Sequence, residues 1–340
     1  MRLALAVVAA LALAPSSAFG ALAYEKGGNG AHPSICVADN DGSHPHKVGT
    51  GDFPVIAPNG SAVAYEARPP TRTGDYALWI SPAPGQSGAP HRLAANLRDQ
   101  EQTAWSPDST RLAAVVGPEL GANRLVVIDV ASGRATTIAR GFIGGLSWSP
   151  DGTRIVYASA PNDRRLPFGY DLHIVAATGG AATALTHDAG SSNPVWGPRA
   201  IAFSHFVKAK RRGDGPKANL FTIAADGSGR HQLTRQTVPF LLTGLFALGF
   251  SAGGDRLLAE FGGQDTSYGE TVDPATGAVR RIGPRGANYV SFGLSRDGST
   301  ILAGRGFVEP GGRHDIVTIP YGGGTPTTIV RNAFNASWNR

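Results

Sequence analysis

The sequence predicts an all-β protein, a seven-bladed β-propeller of four-stranded antiparallel blades, and three observations carry that prediction. First, LSWSPDGTRIVYAS (residues 146–159) reads as a strand, a tight turn and a second strand, and TAWSPDSTRLAAVV (103–116) is nearly a copy of it. Aligned on the Trp position, the copies fall at Ile56, Trp105, Trp148, Trp196, Phe250, Leu294 and Trp338, on average about 47 residues apart. Second, another motif, two apolar residues flanking a third, then a Gly-bearing turn and a strand, starts at Ile35, Leu78, Leu125, Leu172, Leu220, Tyr268 and Ile316. Third, the chain ends are complementary: the start supplies the last three strands of a repeat (ALAYEK, then the Ile35 segment), and the end, FNASWNR, supplies one surplus first strand.

Each repeat is read as strands A to D. In Ser149-Pro150-Asp151-Gly152 the proline presets φ for the turn, the aspartate bonds nearby backbone, and the glycine accepts the positive φ that closes the hairpin. That turn joins A to B, and the Gly-bearing turn of the second motif joins C to D. Four strands in a period of about 47 residues match a propeller blade, which covers its apolar faces with its neighbours. The Trp of strand A is expected to be wedged between blades as core. Pairing the first strand with the last would close the ring.

Residues 1–23 are expected to be a secretory signal peptide, leaving 24–340 as the propeller. Arg2 precedes an apolar run from Leu3 to Ala14, Pro15 breaks it, and small residues follow at Ala18, Gly20, Ala21 and Ala23. The run is shorter than the roughly 20 residues a spanning helix needs, so no transmembrane segment is expected after processing. Cys36 is the single cysteine, so stability must come from packing rather than a disulfide. Net charge is +6, falling to +5 without Arg2, and no basic stripe alternates with stacking aromatics, which argues against nucleic acid as a partner. The 46 Gly and 24 Pro are scattered, as many short turns require.

AWSPDSTRLA, SWSPDGTRIVYAS and LFTIAADGSGRHQLT resemble the WD40-like (PD40) repeats of the TolB propeller family, over essentially the whole chain after the signal. The expected signal peptide implies an exported protein, secreted or periplasmic. TolB itself has six blades and an additional N-terminal α/β domain, for which this chain has no room. Similar repeats form the propellers of prolyl-oligopeptidase-type peptidases and of some carbohydrate lyases.

Short turns occupy the face that carries the A–B and C–D connections. Longer inserts, RPPTRTGDY (68–76), PNDRRLPFGY (161–170) and FVKAKRRGDGPK (206–217), fall on the opposite face, at B–C connections. Rigid scaffolds place binding groups on such loops. Lys208, Lys210, Arg211, Arg212 and Lys217 form the densest positive cluster, to be joined by Arg164, Arg165, Tyr170 and His187, and could hold an anionic partner by charge-assisted hydrogen bonds. The expected function is a non-catalytic, monomeric scaffold, without a cofactor, that binds a protein or cell-envelope component.

The alternative is a metal-dependent propeller enzyme, a polysaccharide lyase or hydrolase, with a divalent cation held by His187, His205 and His314 at the channel mouth. Against it, the A strands read PVIAP, TAWSP, LSWSP, PVWGP, ALGFS, FGLSR and ASWNR, with no His and no carboxylate. Gly249-Phe250-Ser251-Ala252-Gly253 matches the nucleophile elbow of α/β-hydrolases, but a strand rather than a helix follows it, so Ser251 is read as a turn residue. His44 and His46, near Asp39 and Asp41, share a strand face yet lack a third ligand. The apolar segment VPFLLTGLFALGF (238–250) is expected to be buried.

Overall fold

The computed structural model describes residues 21–27, 33–67, 76–97, 103–117, 122–160, 169–207, 213–263, 266–284, 286–305 and 314–339. The expected signal segment before Ala21 lies outside these residues.

Among the described residues every regular element is a strand. The first repeat holds β1 (Ala21–Lys26), β2 (Ser34–Asp39) and β3 (His46–Thr50); the second, β4 (Asp52–Ile56), β5 (Ala62–Ala67), β6 (Tyr76–Pro82) and β7 (His91–Leu97). The third holds β8 (Thr103–Trp105), β9 (Arg111–Val116) and β10 (Asn123–Asp129). One long strand, β11 (Ala135–Trp148), ends the third repeat and begins the fourth, pairing with β10 through its first half and with β12 (Arg154–Ala160) through its second. The fourth continues with β13 (Asp171–Ala176) and β14 (Thr183–Ala184), and the fifth holds β15 (Ser191–Trp196), β16 (Ile201–Val207), β17 (Lys217–Ile223) and β18 (His231–Gln232). The sixth holds β19 (Leu242–Phe250), β20 (Leu257–Gly263), β21 (Ser267–Val272) and β22 (Val279–Arg281). The seventh holds β23 (Tyr289–Leu294), β24 (Thr300–Arg305), β25 (Asp315–Pro320) and β26 (Thr327–Arg331), after which β27 (Ala333–Trp338) ends the chain's regular structure.

Every residue at the Trp position ends a first strand, and every second-motif start lies in a third strand, as the spacing predicts. Pairing within repeats is antiparallel. Between repeats, a bridge at Leu97–Val116 joins the second to the third, and a parallel bridge at Ala218–Gly244 joins the fifth to the sixth. The last strand lies against the first: Leu22 pairs with Trp338, Ala23 with Ser337 and Glu25 with Phe334, giving a sheet of order β27-β1-β2-β3. The expected processing boundary after residue 23 therefore falls inside β1.

The short turns are closed by their own side chains. Ser149 Oγ donates to Asp151 (2.5 Å) and accepts from Arg154 N (2.9 Å), and Asp151 accepts from Thr153 N (2.9 Å). Gly152 sits at φ 67°, in the left-handed region glycine tolerates. Ser106 with Asp108 and Ser295 with Asp297 repeat the arrangement. These bonds hold the Asp151 carboxyl down at about 2, the Ser149 hydroxyl being the largest cause.

Seven apolar clusters among the described residues each draw on two repeats. Trp148, for example, packs with Val115 of the third repeat and Tyr157 of its own. The cluster of Leu22, Tyr24 and Cys36 takes in Leu302, Ile316 and Val330 from the seventh repeat. A buried side chain of Leu or Ile size contributes about 1.5–3 kcal/mol, so these seams are the main source of stability. Polar bonds add direction: Trp105 Nε1 donates to Val55 O (2.9 Å), Trp148 Nε1 to Ala104 O (3.0 Å), and Ile56 N to Ser337 Oγ (2.9 Å), each from one repeat's first strand to another's.

Candidate functional site

The face with the B–C and D–A connections is built differently. Segment 213–217 and segment 238–242 meet there over the seam between the fifth and sixth repeats. Asp214 Oδ1 accepts from Lys217 Nζ (2.6 Å) and from Leu241 N (3.1 Å), while the same ammonium donates to Pro239 O (2.7 Å) and Leu242 O (2.8 Å). The Asp214 side chain is only 7% exposed, and the Lys217 hydrogen bond holds its carboxyl below the usual range. Beneath the clamp, Gly244 lies against Ala218 at φ 119°, where an added Cβ would stand 2.1 Å from Ala218 O.

The clamp presents apolar side chains outward. Phe240 is 42% exposed, Leu241 52% and Val207, which pairs with Lys217, 54%. Leu241 has φ 66°, a left-handed conformation that costs a non-glycine residue about 1 kcal/mol, tolerated here because Asp214 holds its N–H. Segment 238–250 is thus divided, contrary to the expectation that it is buried: Leu245 and Ala247 enter the core, while Phe240, Leu241 and Leu248 face solvent. Val238 and Leu242, on either side of the exposed pair, pack against the core cluster of the seam.

Of the candidate binding residues, Arg164, Arg165, Lys208, Lys210, Arg211 and Arg212 lie outside the described residues. Lys217 is engaged internally, in the clamp. Tyr170 packs its ring near Gly144 at the edge of a core cluster, and His187 is exposed.

The three histidines of the metal alternative have different surroundings. His205 Nδ1 lies 3.1 Å from Arg230 NH2, which also pairs with Asp188 at 2.6 Å. A guanidinium on that ring nitrogen takes a ligand position, and burial pushes the imidazole pKa down. His314 sets its ring against Phe334. Among the described residues no three His, Cys, Asp or Glu side chains gather to hold a metal ion, so these residues do not fit a divalent cation. His44 is 79% exposed and bonded to Asp39, and Ser251 Oγ donates to Asp255 (2.7 Å) within its turn, the same use as Ser106 and Ser149.

Carboxylates that the A-strand reading passes over stand beside those strands. Glu25, Glu66 and Glu260 share one register on the second strand of their repeats, as Ser204 does. Glu25 Oε1 accepts from Phe53 N (2.7 Å) and Asn335 Nδ2 (2.9 Å); Glu260 Oε2 accepts from Ser291 N (3.0 Å); Ser204 Oγ donates to Leu245 O (2.9 Å). Each reaches the first strand of another repeat. Burial raises both Glu25 and Glu260 to about 7. The recurring Glu in LAYEK, VAYEA and LLAEF is the sequence signal that marks them.

Solved structures share this architecture. TolB from Acinetobacter baumannii aligns at a TM-score of 0.56 and 16% identity, over 93% of this chain and 81% of its own. The fold is a β-propeller. The propeller domain of the trilobed protease from Pyrococcus furiosus, described as having an open velcro topology, aligns at 0.64 and 12%, over 88% of this chain and 87% of its own. An oligogalacturonate lyase in complex with manganese aligns at 0.60 and 15%, over 91% and 84%. No family model matches the sequence, and no curated protein does. The propeller therefore has both TolB and enzymes as structural neighbours.

Proposed function

We propose that this β-propeller is an exported, non-catalytic scaffold that binds a protein or cell-envelope component through its loop face. The observation that carries the reading is the clamped apolar tip, exposed Phe240 and Leu241 with the Leu241 N–H held by Asp214, together with exposed Val207. Large apolar side chains held exposed by a built clamp mark an interaction surface.

The seven repeats are read as seven blades. The β27–β1 pairing, together with the cluster that joins the seventh repeat to the first, supports closure of the ring by the two ends. A signal peptide removed before Ala21 would keep β1 whole, because Ala21 N donates to Asn339 Oδ1 (2.7 Å) and Leu22 and Ala23 pair with both neighbouring strands. The product would be a secreted or periplasmic monomer. No helix among the described residues is long and apolar enough to cross a membrane.

The test is cross-linking to cell-envelope extract with wild type, with Phe240→Asp/Leu241→Asp, and with residues 206–217 replaced by a Gly-Ser bridge. A partner captured by wild type and lost with the double variant, at unchanged melting temperature, supports the proposal. Equal capture by all three overturns it. Elemental analysis of protein purified without chelators separates the enzyme alternative, which requires stoichiometric divalent metal.

A further inference from the structure

The apolar tip of the loop face is a convex corner. Pro239 O accepts from Leu242 N (3.2 Å), which closes a four-residue turn and puts Phe240 and Leu241 at its two outer positions. Both are exposed, as are Pro239 before them and Val207 beside the clamp. Phe240, Leu241 and Val207, each about half exposed, offer on the order of 250 Å² of apolar surface. A stable protein interface needs roughly 800 Å² from each partner, so the tip by itself falls well short. A lipid bilayer sets no such minimum, because there the gain scales with whatever apolar area is inserted.

The surface around the tip carries positive charge. Lys26, Arg140, Arg235, Arg305 and Arg331 are exposed at the strand ends and connections of this face, and Arg235 lies in the same D–A connection as the tip. Arg124 and Arg140 are cross-strand partners, both exposed, and among the described residues no carboxylate pairs with either. Like charges directly opposed repel, so this pair favours an anion from outside. The carboxylates of the same face are turned inward or already engaged: Glu25, Glu66 and Glu270 are buried and Asp214 is held in the clamp. Asp188, the one exposed carboxylate there among the described residues, pairs with Arg230 (2.6 Å).

We infer that the loop face docks on an anionic bilayer surface, with Phe240, Leu241 and Val207 entering the headgroup boundary and the surrounding arginines and lysine facing lipid phosphates. This inference rests on the proposed loop-face reading and names its target. Insertion takes backbone polar groups out of water, which is costly unless they are paired. The clamp has paired them beforehand: Asp214 accepts from Leu241 N, Lys217 donates to Pro239 O and Leu242 O, and Leu242 N is closed within the turn. Residue 239, a proline, has no N–H to satisfy.

The experiment is co-sedimentation of the full chain with vesicles of phosphatidylcholine alone and of phosphatidylcholine mixed equally with phosphatidylglycerol. Wild type should bind the mixed vesicles about tenfold or more tightly than the neutral ones, and added salt should remove the difference. Phe240→Asp/Leu241→Asp should weaken binding about tenfold or more at unchanged melting temperature. Arg235→Gln should weaken it about fivefold. Phe240→Trp keeps the tip apolar and carries the test should the double variant fail to fold: with mixed vesicles containing brominated lipid, its fluorescence should be quenched beyond that of wild type. Equal binding to both vesicles, undiminished binding by the double variant, or no added quenching in Phe240→Trp overturns the inference. Cross-linked protein capture alongside any of these results overturns the bilayer target while leaving the loop-face reading in place.

Discussion

The two faces of this propeller solve the same problem, how to turn a chain between strands, in opposite ways. On the short-turn face three turns satisfy themselves: Ser106, Ser149 and Ser295 bond an aspartate two residues on and the backbone after it, so these turns close with their own side chains. On the loop face the turn at 238–242 is clamped by residues far away in sequence, Asp214 and Lys217, and it keeps a leucine in a left-handed conformation. Local satisfaction yields repetition. Long-range clamping yields a single, distinctive surface, which is what a binding site needs.

The largest expected effect tests whether the loop face depends on its one close approach. Gly244→Val drives a side chain into Ala218 O and should cost about 3 kcal/mol or more in denaturant unfolding, releasing the clamp with it. Next comes the buried pair of carboxylates. Glu25 and Glu260 have folded pKa values raised to about 7 from an ordinary 4.5, so the folded state binds protons more tightly than the unfolded chain. Their stabilisation is full below about pH 4.5 and is lost as pH rises through 7, about 2–3 kcal/mol for each. Unfolding measured from pH 5 to 8 should show stability falling, and Glu25→Gln/Glu260→Gln should flatten the curve. Asp151 behaves in the reverse sense: with its folded pKa lowered to about 2, its contribution is lost as pH falls through that value.

Smaller effects sharpen the contrast between faces. Ser149→Ala removes a hydroxyl that serves both Asp151 and Arg154 and should cost about 1–1.5 kcal/mol, with Ser106→Ala adding nearly independently. Phe240→Asp should change stability by less than about 0.5 kcal/mol, because the side chain faces solvent, while abolishing partner capture.

Much of the fold was legible because its signals are local. The Ser-Pro-Asp-Gly turn and the alternation of apolar residues specify a hairpin within about a dozen residues, and repetition every 47 or so turns one hairpin into a predicted architecture. Ser251 was readable as a turn residue for the same reason. The site was less legible: the basic residues of 208–212 lie outside the described structure, and Lys217, counted among them, proves to be the clamp's own cation.

By itself, then, the sequence determined which residues make strands and turns, and that the first strand and the last complement each other, since propensity and period act over neighbouring residues. Tertiary structure alone decided which polar groups are buried and which apolar ones are not. Glu25 meets Phe53 and Asp214 meets Leu241 through contacts that no local stretch specifies, and burial depends on what another part of the chain places alongside.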